Sequence, residues 1–306
     1  MKTKLDTKRV VIFLLLAFGI AWAFGLWVYL TGGLFNSPEL IPNSGITLAV
    51  AILALGYMWA PAIAHLLTRV ITKEGWKNTN LRFDFGKHWW TLATAWFFPV
   101  VLVTIGTALY FLVFPDQFDP NLSAVQQMLQ AAESQTGQSL PIDLPILILI
   151  QLGVSVLIAP IINSLFTFGE EFGWRGYLQP KLMPLGYRNA LVLTGVIWSV
   201  WHWPVIAMGH NFGLGYWGAP WTGFLMMTWF TVGASIIIGW LVYRAQSVWP
   251  AVIAHAAMNG IAGAALLFLA IDAQPLSLLG PAAVGLIANI PWALFAAYLL
   301  WKGEKA

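Results

Sequence analysis

An all-helical, polytopic membrane bundle is the fold class this sequence predicts, on three observations. The 306-residue chain is 59% hydrophobic and only 9% charged, with 18 Trp and a mean hydropathy of +0.75. Apolar runs recur that approach or exceed the roughly 20 residues needed to cross a bilayer. Basic residues, finally, fall between alternate runs only. Composition therefore overrides length, which alone would allow one large soluble domain or two small ones.

Hydropathy marks about eight spans, at residues 10–30, 46–71, 89–114, 144–168, 189–208, 221–243, 248–270 and 280–301. The first follows Lys2, Lys4, Lys8 and Arg9, the order of a signal peptide. Its apolar part is too long for one and no small-residue cleavage site stands out, so it reads as a retained span. Pro61, Pro99 and Pro160 lie inside spans and are expected to kink them, neighbouring helices satisfying the freed carbonyls.

The connections sort by charge. Arg69, Lys73, Lys77, Arg82 and Lys87 lie between the second and third spans. Arg175, Lys181 and Arg188 follow the fourth, Arg244 the sixth, and Lys302 and Lys305 end the chain. Eight alternating spans put all 15 basic residues on one side. The positive-inside rule makes that side cytoplasmic, with both termini inside. The outer connections, 32–45, 115–143, 210–220 and 272–279, carry acidic residues and no Lys or Arg. Within the longest, residues 121–135 read as a short polar helix, a solvated connector or lid, with Ser123 and Gln126 spaced as a capping box.

No repeat and no soluble domain interrupts the pattern, so residues 1–306 read as one transmembrane domain. The chain has no cysteine, which excludes disulfides, thiolate catalysis and Cys-ligated metal. The net charge of +3 follows from the one-sided loops, and no nucleic-acid partner is expected.

Against that apolar background stands Gly169-Glu170-Glu171-Phe172-Gly173-Trp174-Arg175-Gly176, two carboxylates directly after an apolar run. Acidic residues beside a span are expensive and point to function. The competing reading is a solvated helix end, with Glu171 and Arg175 an i,i+4 surface pair worth a few tenths of a kcal/mol. Other polar residues inside spans weigh against it. His202 lies in the fifth span, one turn after Trp198, and His255 and Asn259 share one face of the seventh. His65, with no polar partner at helical spacing, reads as structural. His88 and His210, at span ends, read as interfacial or solvated.

Glu, two His and Asn are the parts of a water-activating amide hydrolase. A desolvated carboxylate can act as general base or acid towards water. A neutral imidazole can orient that water. The Asn259 amide and a His255 ring N–H suit an oxyanion. Glu170, His202 and His255 could equally complete a three-ligand zinc site with an open position, and the sequence leaves Zn2+ undecided.

Taken in series, Glu170-Glu171-x-x-x-Arg175, the aromatic Trp198 one helical turn before His202, and His255-x-x-x-Asn259 resemble the CAAX prenyl protease and bacteriocin-processing (ABI) family of intramembrane endopeptidases. The resemblance covers residues 144–260. It implies that Glu170 and His202 activate the water, that His255 and Asn259 form the oxyanion site or bind metal, and that Glu171 and Arg175 order the glutamate helix. The second motif usually begins with Phe, where this chain has Trp198. A membrane-anchored protein or peptide, such as a prenylated CaaX chain, is the implied substrate, and the plasma membrane of a bacterium or archaeon the implied location.

Two other classes compete: a non-catalytic immunity or scaffold protein, and a haem-binding protein or transporter using the same residues. Depth is the difficulty for the protease reading. At 1.5 Å per residue, His255 should lie roughly 10 Å below the cytoplasmic face and His202 roughly 20 Å, with Glu170 almost at the surface. Convergence requires the fourth helix to end deeper, or the fifth to begin above the bilayer, with residues 177–187 as a surface segment absorbing the offset.

Overall fold

The computed structural model describes residues 4–42, 44–138 and 142–305. Lys2, counted above with the basic N-terminus, lies outside them. The main helices are α1 (Thr7–Leu30), α2 (Leu48–Ile71), α3 (Phe85–Val113), α4 (Ser123–Thr136), α5 (Leu144–Leu185), α6 (Tyr187–Ala207), α7 (Trp221–Ala245), α8 (Trp249–Phe268) and α9 (Ile290–Lys302). All except α4 and α9 are long and apolar enough to cross a membrane.

Two spans differ from their hydropathy limits. The fourth continues past Phe168 to Leu185 as α5. The eighth is helical only from Ile290, and the 13 residues of α9 rise about 20 Å. Before it the backbone folds on itself at Gly280 (φ +153). Irregular backbone at membrane depth is tolerated where protein covers it. Here α3 does so, through Gly106, where a Cβ would stand 1.9 Å from the Ala288 carbonyl oxygen.

The prolines act through π-helical turns. Leu53–Tyr57 precedes Pro61 and Val154–Ile158 precedes Pro160, the wider turn making room for the ring. Proline cannot bond the carbonyl four residues back. For Pro160 that is Val156, whose oxygen accepts from Trp96 Nε1 at 2.7 Å. Pro99 breaks nothing: the one non-helical residue inside α3 is His88.

Helix α4 forms nearly as expected, but its cap differs. Asp119, not Ser123, supplies it, accepting from the amides of Asn121 and Ser123 at 2.8 and 2.7 Å. None of α4 lines the cavity described below.

Helix α5 organises the bundle, packed along α8 and α2, while α6 pairs with α7 and α1 with α2. Its first half exposes Leu149, Leu157, Ile161 and Leu165, as a lipid-facing surface should. Its second half is enclosed.

Candidate active site

Hydropathy ends the fourth span at Phe168, yet residues 169–179 are all buried. They stay helical because their polar side chains find partners inside the protein. Glu170 Oε2 accepts from Trp198 Nε1 at 2.7 Å. Glu171 Oε1 accepts from Arg175 Nη1 at 2.8 Å and pairs with His255 Nδ1 at 2.9 Å. Gln179 Nε2 donates to the Gly239 carbonyl at 3.1 Å. Glu170 is 2% exposed, Glu171 and Arg175 are 0% and His255 is 4%. The surface-pair reading of Glu171 and Arg175 therefore fails: the pair exists but is sealed from water.

Residues 177–187 form no separate surface segment but continue α5 into its turn, where Pro180, Leu185 and Gly186 are exposed. Tyr177, Leu178, Leu182 and Tyr187 are buried, and α6 follows α5 directly through Gly186 (φ +98). This removes the depth offset. Glu170 lies about 15 residues from the end of α5 and His202 about 15 from the start of α6, roughly 22 Å along either helix. Arg69 and Arg175, counted above as loop charges, are likewise buried in helices.

Glu170, Trp198, His202, His255 and Asn259 line one cavity of about 490 Å³. His202 Nδ1 lies 2.8 Å from the Trp198 carbonyl oxygen. A carbonyl can only accept, so Nδ1 carries the proton and a neutral His202 keeps Nε2 as an acceptor. The Arg175 guanidinium sits 4.4 Å over the Trp198 ring, a cation–π contact. Arg175 thus supports both the carboxylate that holds His255 and the indole that holds Glu170. Apolar walls come from Met58, Met227, Met258 and Phe230.

Tyr57, His210 and Asn211 are among the further residues that line the cavity. His210, expected at a span end to be interfacial or solvated, lies beyond the end of α6 and is exposed, while it also lines the cavity. Nothing in the sequence flagged Tyr57, whose hydroxyl donates to the Trp201 carbonyl at 2.5 Å. His65 also needs correction: its Nε2 accepts from Arg69 Nε at 2.6 Å, a partner at i+4.

Among the described residues no three His, Asp or Glu side chains are grouped to hold a metal ion. Glu170 and the two histidines each commit an atom to Trp198 or Glu171. Each keeps its other ligating atom free, Oε1 of Glu170 and Nε2 of both histidines, the arrangement of a metal-ligating histidine, and no step below passes through a metal.

Residues 145–261 match the family model described as type II CAAX prenyl endopeptidase, Rce1-like. Over that segment the chain is similar to the CAAX prenyl protease family. The match begins one residue inside α5 and ends two residues after Asn259, so it spans every residue of the three motifs. No curated protein matches the chain. The match supports a CAAX-type intramembrane protease in general, and several apolar helices support an integral membrane protein. Helices α1 to α4 lie outside the matched segment.

Proposed function

We propose that this protein is an intramembrane endopeptidase that hydrolyses a peptide bond of a membrane-anchored, CaaX-like substrate with a glutamate-activated water, residues 144–260 forming its catalytic core. The carrying observation is the opening of Glu170, His202, His255 and Asn259 onto one cavity. Water held by Glu170 and His202 Nε2 loses a proton to Glu170 as its oxygen attacks the scissile carbonyl carbon. The resulting oxyanion accepts from the Asn259 amide, one turn along the same helix face from His255, which Glu171 holds at Nδ1. Collapse of the tetrahedral intermediate breaks the C–N bond. Glu170 returns its proton to the departing amine, leaving a new carboxyl terminus on the other product. The Met-rich walls suit an apolar side chain or lipid group beside the bond. The side carrying the basic loops is read as cytoplasmic.

The test is cleavage of an internally quenched farnesylated CaaX peptide in detergent micelles. Glu170→Gln, His202→Ala and His255→Ala should each lower kcat by about 10²–10⁴-fold while the protein still purifies as a folded monodisperse species. Full activity in the Glu170 and His202 variants would sink the proposal. Activity losses that merely track protein abundance would favour a scaffold.

A further inference from the structure

The glutamate helix is gripped from outside the matched segment. Gly169 and Gly173, one turn apart, flank the two carboxylates. A Cβ at Gly169 would lie 2.6 Å from the Met58 carbonyl oxygen, and one at Gly173 would lie 2.4 Å from Pro61 Cβ. This is close backbone approach through small residues four apart, an established way for helices to pack in membranes. It presses α2 against α5 at the level of Glu170 and Glu171.

Two turns further along α2, His65 reaches the same stretch. Arginine can only donate, so the Arg69 Nε contact to His65 Nε2 at 2.6 Å makes Nε2 an acceptor and leaves the proton on Nδ1. Nδ1–H then donates to the Phe172 carbonyl at 2.9 Å, one residue after Glu171. The π-helical turn Trp174–Leu178 begins just beyond. The His65 ring also packs on those of Phe172 and Tyr177, with centroids 4.3 and 4.6 Å away. Arg69 in turn donates to the carbonyls of Gly75, Lys77 and Asn78, tying this cluster to the connection after α2. His65 is fully buried and Arg69 nearly so.

We infer that His65, with its tautomer set by Arg69, is a positioning residue: it fixes the carbonyl of Phe172 and so the rotational setting of Glu170 and Glu171 about the α5 axis. The inference rests on the glutamate reading proposed above for the consequence to catalysis, but the clamp itself is defined by geometry alone. An α-helix turns 100° per residue, so a small slip of the segment turns Glu170 away from Trp198 and the cavity.

The test uses the full-length protein in micelles and two substitutions. His65→Phe fills the site but removes the N–H, and His65→Asn returns an amide N–H near the Nδ1 position. Against the farnesylated peptide, His65→Phe should lower kcat at least tenfold with KM within twofold, and His65→Asn should restore most of it. Amide hydrogen exchange, followed by mass spectrometry, should quicken at least tenfold over residues 169–178 in His65→Phe and stay unchanged in α7. Unchanged exchange over 169–178, or an equal rise throughout α5 and α7, overturns the clamp. Unchanged kcat in His65→Phe beside an inactive Glu170→Gln overturns the positioning role and leaves the glutamate reading intact. Full activity in Glu170→Gln overturns that reading instead, and the exchange result then decides the clamp by itself.

Discussion

Replacing Arg175 by Met would strip Glu171 of its cation while keeping an unbranched side chain in the space. The ion pair is made at 2.8 Å between groups that are both fully buried. With charge centres about 4 Å apart, an effective dielectric of about 20 gives an attraction near 4 kcal/mol. Breaking one partner of a buried pair costs a similar ~3–5 kcal/mol, because the survivor stays desolvated. Arg175→Met should therefore destabilise the protein by several kcal/mol. Glu171→Met/Arg175→Met, which leaves no orphaned charge from the pair, should recover most of that loss. The chain's 18 Trp make intrinsic fluorescence the natural probe of thermal and denaturant unfolding in detergent. Wild type, both single variants and the double variant complete a cycle, with a coupling of at least about 2 kcal/mol expected. A single Arg175→Met variant as stable as wild type, or strict additivity in the cycle, would refute the argument that this pair is a desolvated unit.

Three further outcomes are expected. Gly173→Ala, which in an open helix would gain up to about 1 kcal/mol, should instead lose roughly 1–3 kcal/mol, because the new Cβ would stand 2.5 Å from the Pro61 carbonyl carbon; a rise in melting temperature would contradict the close α2–α5 approach. Trp198→Phe keeps a ring beneath Arg175 but deletes the donor to Glu170; loss of a charge-assisted hydrogen bond worth about 1.5 kcal/mol should lower kcat about tenfold at constant KM, and unchanged kinetics would remove the indole from the site's support. Burial works to raise the pKa of Glu74, but Lys181 and Tyr177, both hydrogen-bonded to it, hold it below its ordinary 4.5. Because the folded-state value is the lower one, the stability Glu74 adds is complete above the ordinary value and fades as pH falls through the depressed one. Melting temperatures of wild type and Glu74→Gln should differ at neutral pH and converge in acid, and a gap that widens on acidification would reverse the assignment.

Much of the fold was legible because a bilayer demands internally satisfied backbone and long apolar runs, and both are local properties. Hydropathy located the seven long helices to within a few residues at most ends. It failed at residues 169–185, where Glu170, Glu171, Arg175 and Gln179 lower the local average but each finds a partner, Glu170, Glu171 and Gln179 on α6, α8 and α7 and Arg175 on Glu171 of α5 itself. It failed again before Ile290, where α3 covers irregular backbone. His65 has Arg69 at i+4, a polar pairing that a span's average hydropathy hides. The small-residue pair Gly169 and Gly173 was in plain view inside the motif, but a glycine pair names no partner helix.

By itself, then, the sequence determined a polytopic helical bundle and the short set of polar residues to suspect, Glu170, Glu171, Arg175, His202, His255 and Asn259. Both follow from what lipid excludes. Only the tertiary structure decided that the two glutamates, Arg175 and His255 are buried, that Glu170, His202, His255 and Asn259 open onto one cavity, and that the glutamate helix leans on α2. Whether a buried carboxylate is tolerable depends on the donors that meet it. Those donors, Trp198 for Glu170 and Arg175 and His255 for Glu171, come partly from helices remote in sequence that only folding brings to α5.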